Sequence, residues 1–372
     1  MNSIRHYIPP RPDSDDWESR DFLSSLSDAY AFSVEQSDLA RIRNSFASLS
    51  EDDKEWVRLV HEKLDIGKNL TVSVSEGVKT NTEFLQNVVS GSLRNVVENE
   101  RGSEKGGWSV GALAARARAL PLIAAREWSA YLSVEREETN QAIKVAVKKY
   151  FQVENGPILV PGSSAGRLVY ELADMGYDVT GIEHDAVRVM LMDSIIRGRK
   201  KYTIKPFILE TCNRLKDSDN QAEIEVPDTS SISPSTLSRI SIDCNEFFET
   251  IQTYQGESFS GIVTSWFLDS PNFDMADVVK ELKRVLKKQG GGQYGGYWVN
   301  VGPLDYTPHA EKNFRTEKIC KKYSKIEMFD LLKANGFEIV EEREIESSYM
   351  HNPKSIMKSV FSCVFFVAKL VG

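Results

Sequence analysis

The chain has 372 residues, more than one small core needs, and its 41% hydrophobic and 27% charged residues exclude a disordered or fibrous protein. A net charge of -8 argues against the broad basic footprint that nucleic acid requires, so no nucleic-acid partner is expected. Cys212, Cys244, Cys320 and Cys363 form no CxxC pair and have no histidine at ligand spacing, which suggests neither a metal site nor a redox pair.

From about Ser14 to Tyr150 apolar residues recur at helical spacing, as in Trp56, Leu59, Val60 and Leu64, so this half reads as a helical region over 1–150. Met1 to His6 contain no signal-like apolar run, and no stretch approaches a membrane span; no membrane partner is expected, and the expected compartment is the cytosol, with the nucleus left open. Glu100 to Trp108 reads as a loop and the Ala-rich Val110 to Trp128 as a long helix.

After Asn155-Gly156-Pro157 short apolar runs alternate with helical patterns, the signature of a mostly parallel sheet over 151–372. Ile158 to Val160 and Asp178 to Ile182 read as strands, and Gly166 to Met175 and Ala186 to Arg197 as the helices that follow them. The basic run Arg197 to Lys201 reads as a solvated helix end rather than a phosphate site. Asp217 to Ser238, polar and Ser-rich, reads as a surface loop. Arg239 to Asp243, Gly261 to Trp266 and Tyr297 to Val301 are further strands, with a helix over Met275 to Lys287. Tyr323 to Asn335 is a helix closed by Gly336, and Phe337 to Arg343 with Val360 to Leu370 makes a terminal hairpin whose last strand runs antiparallel.

Ile158 to Arg167 spells a buried strand, a turn of small residues and the first turn of a helix. Gly162 lets a ligand lie against the backbone, Gly166 permits close packing of helix on strand, and the helix start offers amides to polar or anionic groups. Glu183 closes the next strand, where a carboxylate accepts hydrogen bonds from both hydroxyls of a ribose. The dehydrogenase pattern G-x-G-x-x-G would need glycine where Ser164 and Arg167 stand, which disfavours a dinucleotide.

Val160-Pro161-Gly162 through Gly166-Arg167-Leu168, Met175-Gly176-Tyr177, Gly181-Ile182-Glu183 and Trp298-Val299-Asn300-Val301-Gly302-Pro303-Leu304 resemble the carnosine N-methyltransferase family, over roughly Arg126 to Leu370. The resemblance implies an α/β fold. It would be a Rossmann-like methyltransferase domain with a mostly parallel seven-stranded sheet, an antiparallel last strand and an N-terminal helical region. It also implies S-adenosylmethionine as cofactor and N-methylation of an imidazole in a small molecule or peptide, carnosine-like. By position, Arg126 would clamp the cofactor's carboxylate. Gly162, Ser164 and Gly166 would form the cofactor turn and Glu183 would take the ribose. Glu246 and Phe247 would flank the adenine, and Ser265 would add a further contact.

Asp269 matches the family's substrate carboxylate and is the catalytic candidate. An acceptor on one imidazole N–H selects the tautomer and offsets the charge that develops on methylation. The alternative for Asp269 is a helix N-cap for a segment starting near Pro271. Tyr306, His309 and Phe361 are the remaining substrate-side candidates. The family's Tyr-His pair is here Tyr306-Thr307, leaving His309 as its replacement or as a solvated loop residue. Ser359, Val360 and Phe361 stand where tyrosines are expected. Ser164 replaces a glycine, a change that is tolerable if its φ is negative, and Gln289 to Gly296 is a Gly-rich insertion expected to be flexible. These departures leave open a different small-molecule acceptor, or a cofactor-binding regulatory protein without turnover. The helical half is left as a lid or a subunit contact of a homodimer.

Overall fold

Five short apolar runs become the parallel heart of one sheet. The computed structural model describes residues 110–210, 212–229, 232–269, 274–288, 295–306 and 321–371, together with 76–88 and isolated positions between 26 and 55. The expectations for Trp56 to Leu64, Glu100 to Trp108, His309 and positions 289–294 of the insertion lie outside the described residues.

Helices α1 (Val110–Trp128) and α2 (Ser133–Tyr150) precede β1 (Ile158–Pro161), α3 (Arg167–Asp174), β2 (Val179–Glu183) and α4 (Ala186–Ile196). Next come β3 (Tyr202–Ile204), β4 (Ile224–Val226), α5 (Pro234–Ser238), β5 (Ile240–Cys244), α6 (Phe247–Ile251) and β6 (Gly261–Ser265). The chain closes with α7 (Met275–Val285), β7 (Tyr297–Gly302), α8 (Lys325–Ala334), β8 (Phe337–Ser348) and β9 (Val360–Leu370).

The main sheet has seven strands in the order β5-β2-β1-β6-β7-β9-β8. The first five are mutually parallel, and β9 runs antiparallel to both β7 and β8, as expected. The central strand β1 is buried at every position because helices cover both faces of the sheet, which is why it reads as a continuous apolar run. The edge strand β8 instead carries Glu338, Glu341, Glu342, Arg343, Glu344 and Glu346. Charges there discourage pairing with another chain. They also break the alternation and so mask the strand's length: β8 runs on to Ser348 rather than stopping at Arg343, held by its ladder to β9 as far as Ser348 opposite Val360.

One expectation is overturned. The stretch Asp217 to Ser238 is not simply a loop: Ile224–Val226 pairs antiparallel with Tyr202–Ile204 as a second, two-stranded sheet, and Ser233 caps a short helix by accepting from the Thr236 amide. Three-residue strands offer too few positions for periodicity to register.

The described N-terminal helical segment, 76–88, docks on this domain. Asn81 donates from Nδ2 to the Tyr30 hydroxyl (2.9 Å) and to the Lys205 carbonyl (3.0 Å), while its Oδ1 accepts from the Lys205 amide (2.9 Å). Helix α2 packs on β7 and β8, and α1 packs on α2, α4 and β4. The α1 end is pinned by Trp128, fully buried, whose indole Nε1 donates to the Ala165 carbonyl at 2.9 Å.

Candidate functional site

The strand order reverses at β1, between β2 and β6, and a cleft of about 190 Å³ opens at the carboxyl ends of these strands. Sheets of this kind place ligands at that switch point. The cleft is walled by the β1 turn, by residues that end β2 and β6 and begin α6, and by the end of α1.

The β1 turn places Gly162 at φ +67°, Ser164 at +50° and Gly166 at +83°. A Cβ at Gly162 would stand 2.8 Å from the Phe267 ring. At Gly166 it would stand 2.3 Å from the Met192 sulfur of α4. Gly166 therefore admits helix against helix and starts α3; it does not line the cleft, and the close packing expected against a strand is with α4 instead. Ser164 does not meet the condition of a negative φ. A serine in the left-handed region is disfavoured by roughly 1–2 kcal/mol, and here its amide is aimed at Glu183.

Glu183 is buried, and its carboxylate is oriented by the protein: Oε2 accepts from the Ser164 amide at 2.8 Å and Oε1 from the Asp185 amide at 2.9 Å. His184 Nδ1 lies 3.3 Å from Oε1. A carboxylate offers about four acceptor positions, so capacity remains for hydroxyls in the cleft. Asp185 caps α4 through the Val187 amide (2.9 Å) and is tied to α1 by Arg116 at 3.6 Å.

Arg126, in the last turn of α1, lines the cleft with its guanidinium 4.7 Å from the Tyr349 ring centroid and 5.5 Å from that of Trp266. Its Nε lies 3.9 Å from Glu135 Oε2 and makes no hydrogen bond among the described residues. A planar donor fork supported by two rings is suited to a ligand carboxylate. The first amide of α3 is already used: buried Glu127 accepts from the Arg167 amide through Oε2 at 3.3 Å. Burial, outweighing the Ser164 hydrogen bond and the nearby Arg126 charge, pushes the Glu127 carboxyl above its ordinary value. A polar partner for that helix start is thus supplied by the chain itself.

Glu246 and Phe247 also border the cleft, where Glu246 stands at the N-cap of α6 without a capping hydrogen bond. The Phe247 ring packs edge-on against Phe267 at 5.2 Å. Ser265 ends β6, and Trp266 turns out of the strand at φ +53° with its amide bonded to the Val301 carbonyl at 2.9 Å.

Arg126, Gly162, Ser164, Glu183, Glu246, Phe247 and Ser265 therefore share one cleft. Asp269, Tyr306 and Phe361 do not line it. Asp269 lies near the Tyr306 hydroxyl, while β7 and β9 are antiparallel and Gly302 pairs with Val364, which brings the start of β9 toward the end of β7. Burial first, and then the Asp269 charge, pushes the Tyr306 hydroxyl up to about 12. The Cys363 thiol is likewise pushed up to about 12, mainly by burial. Asp274, not Asp269, caps the following helix, accepting from the Ala276 amide at 2.9 Å. Phe361 adjoins the cleft through Trp266, whose ring meets it edge-on at 5.3 Å and lies tilted against Tyr349 at 4.5 Å.

Trp266, Tyr349, Glu127 and Arg188 are cleft residues that sequence reasoning did not select. Tyr349 could have been sought as a ring preceding the last strand, since Phe361 lacks the hydroxyl expected there. Arg188, early in α4, carries a charge stabilised by Glu183 and Asp185 against the cost of its burial.

The strand order, the reversed last strand and an acidic residue closing β2 define a Rossmann-like methyltransferase domain. The model of the carnosine N-methyltransferase family matches residues 116–371, and the chain belongs to that family. It is 27% identical over 254 residues to carnosine N-methyltransferase unmet of Drosophila melanogaster, covering 66% of this chain and 53% of the fly protein. It is 29% identical over 256 residues to the carnosine N-methyltransferase of Dictyostelium discoideum, covering 65% and 52%. The chain thus spans about half the length of these two curated relatives. Among solved structures, a SAM-dependent methyltransferase from Aquifex aeolicus is similar at a TM-score of 0.38 and 15% identity, covering 64% of this chain and 93% of its own. Among the described residues no helix is long and apolar enough to cross a membrane, and no His, Cys, Asp and Glu cluster is placed to hold a metal.

Proposed function

We propose that this chain transfers a methyl group from S-adenosylmethionine to an imidazole nitrogen of a small histidine-containing dipeptide such as carnosine. The observation that carries the reading is Glu183, buried at the end of β2 with its carboxylate set by two backbone amides, in the same cleft as Arg126. One group suits the hydroxyls of an adenosine ribose, and the other suits the carboxylate of an amino acid. The orphaned Arg126 Nε within that wall fits a ligand of this kind.

When bound, the cofactor supplies a methyl group already activated on a sulfonium. The chain's part is then to bind, orient and exclude water. Glu183 holds the ribose, Glu246 accepts from the adenine amine, and Phe247 and Phe267 give that end an apolar wall. Asp269 accepts the N–H of the acceptor imidazole, leaving the lone pair on the other nitrogen free to attack and balancing the charge that forms. Tyr306 and Phe361 border the ring.

The test is incubation of the purified chain with methyl-labelled S-adenosylmethionine and carnosine, with mass identification of the product. Labelled carnosine that disappears with Glu183→Ala supports the reading; absence of cofactor binding by calorimetry rejects it. Phe361, lacking a hydroxyl, favours a second reading in which the acceptor differs from carnosine. Transfer to another imidazole, amine or hydroxyl compound, with carnosine inert, would select it.

A further inference from the structure

Glu135 lies in the first turn of α2 and is buried, with its side chain 4% exposed. Its Oε2 accepts from the Met350 amide at 2.7 Å, and its Oε1 accepts from the His351 amide at 3.1 Å and lies 2.9 Å from His351 Nδ1. The Glu135 carbonyl accepts from the Ser347 hydroxyl at 3.0 Å. The same carboxylate faces Arg126 Nε at 3.9 Å. One buried anion thus touches the connection between β8 and β9 and the guanidinium that lines the cleft.

The β8–β9 ladder ends at Ser348, so Tyr349 is the first residue beyond its support. Tyr349 is nevertheless set in the cleft wall, its ring 4.5 Å from Trp266 and 4.7 Å from the Arg126 guanidinium. The residues that follow it explain this. Met350 turns at φ +50°, and the amides of Met350 and His351 converge on Glu135. Stability alone does not call for such a device: the hairpin is already paired along its length, and burying a carboxylate is unfavourable unless its geometry is used.

We infer that Glu135 is a positioning residue that latches the β8–β9 connection onto α2 and so holds Tyr349 against Arg126 as a wall of the transfer site. The inference rests on the proposed function for the word transfer; the latch itself rests on the contacts. Charge-assisted bonds to successive amides fix direction better than apolar contact would. A loosened latch releases the Tyr349 ring while leaving Glu183 and the β1 turn as they are.

The test is a double-mutant cycle on the full chain with Glu135→Gln and Tyr349→Ala, read as S-adenosylmethionine affinity and as kcat/KM for transfer to carnosine. Glu135→Gln is expected to lose about tenfold in kcat/KM. In the Tyr349→Ala background it is expected to lose no more than about twofold further, because coupled residues are not additive. A merely structural role would lower both backgrounds equally. Losses that multiply, or undiminished transfer in Glu135→Gln, would overturn the latch.

If Glu135→Gln does not fold, His351→Ala enters the same cycle and removes one partner of the carboxylate, with the same outcomes deciding. If the unmutated chain binds no cofactor, the functional reading fails by itself. The latch is then read by hydrogen exchange. Faster exchange of the Met350 and His351 amides in the variant, with β9 unchanged, supports it, and unchanged exchange there overturns it.

Discussion

Ser164 donates its backbone N–H to Oε2 of Glu183 at 2.8 Å, although reaching that carboxylate holds the serine at φ +50°. The β1 turn and the acidic strand end are therefore one unit. Their separation in sequence is set by the helix α3 and strand β2 that lie between them.

Glu183→Ala should weaken S-adenosylmethionine binding by about 100-fold, since two hydrogen bonds to a charged acceptor are lost. It also strips the Ser164 and Asp185 amides of their partner. Titration calorimetry of both proteins, with melting curves as the control for folding, checks this.

Ser164→Val places a β-branched residue in the left-handed region and should cost about 1–3 kcal/mol of stability. Ser164→Gly should melt at or slightly above the parent temperature, because only glycine enters that region freely. Denaturant titration of the two variants separates the outcomes. Equal stability would mean that the backbone strain is relieved elsewhere.

Arg126→Lys keeps the charge but loses the planar fork, and should weaken S-adenosylmethionine binding about tenfold. Binding of 5′-methylthioadenosine, which has no amino acid part, should stay within about twofold, because the lost donors serve only the carboxylate. Competitive titration of the two ligands measures the difference. A comparable loss for both would assign Arg126 to the architecture of the wall instead.

Glu127 gives a pH dependence whose sign follows from its burial. Its carboxyl is raised in the folded chain above the ordinary value of 4.5, so the folded state binds the proton more tightly than the unfolded state. That contribution to stability is fully present below the unfolded value and is lost as pH rises through the folded one. Glu127→Gln, which cannot ionise, should therefore melt higher than the parent at pH 8, and the gap should close toward pH 4. Melting temperatures across that range test it, and a gap that widens in acid would reverse the assignment.

Much of the sheet is legible in the sequence because β1, β2 and β6 are buried runs separated by helices of ordinary length, and the Ser164–Glu183 unit joins the ends of adjacent strands. Residues placed by local geometry, such as Gly162 and Glu183, were legible for that reason. Tyr349 and Glu135 were not. Their neighbourhood depends on contacts such as Ser347 to Glu135, 212 positions apart, which no periodicity encodes. The role of Glu127 is not legible for a related reason, since its partner amide belongs to a helix that begins 40 positions later. The backbone region of Ser164 is not legible in its residue type, because serine favours negative φ and the left-handed turn is visible only with its amide on Glu183.

The pinning of Trp128 to the Ala165 carbonyl has a practical corollary for dissecting the molecule. A fragment beginning at Gln152 would retain every strand of the sheet, yet it would lack Arg126, Glu127, Trp128, Glu135 and Arg136. Such a fragment would be a sheet with half a pocket, its Gly-rich turn bared to solvent where an indole now covers it. Recombination or truncation that preserves ligand capture must therefore carry the two helices along with the sheet they precede.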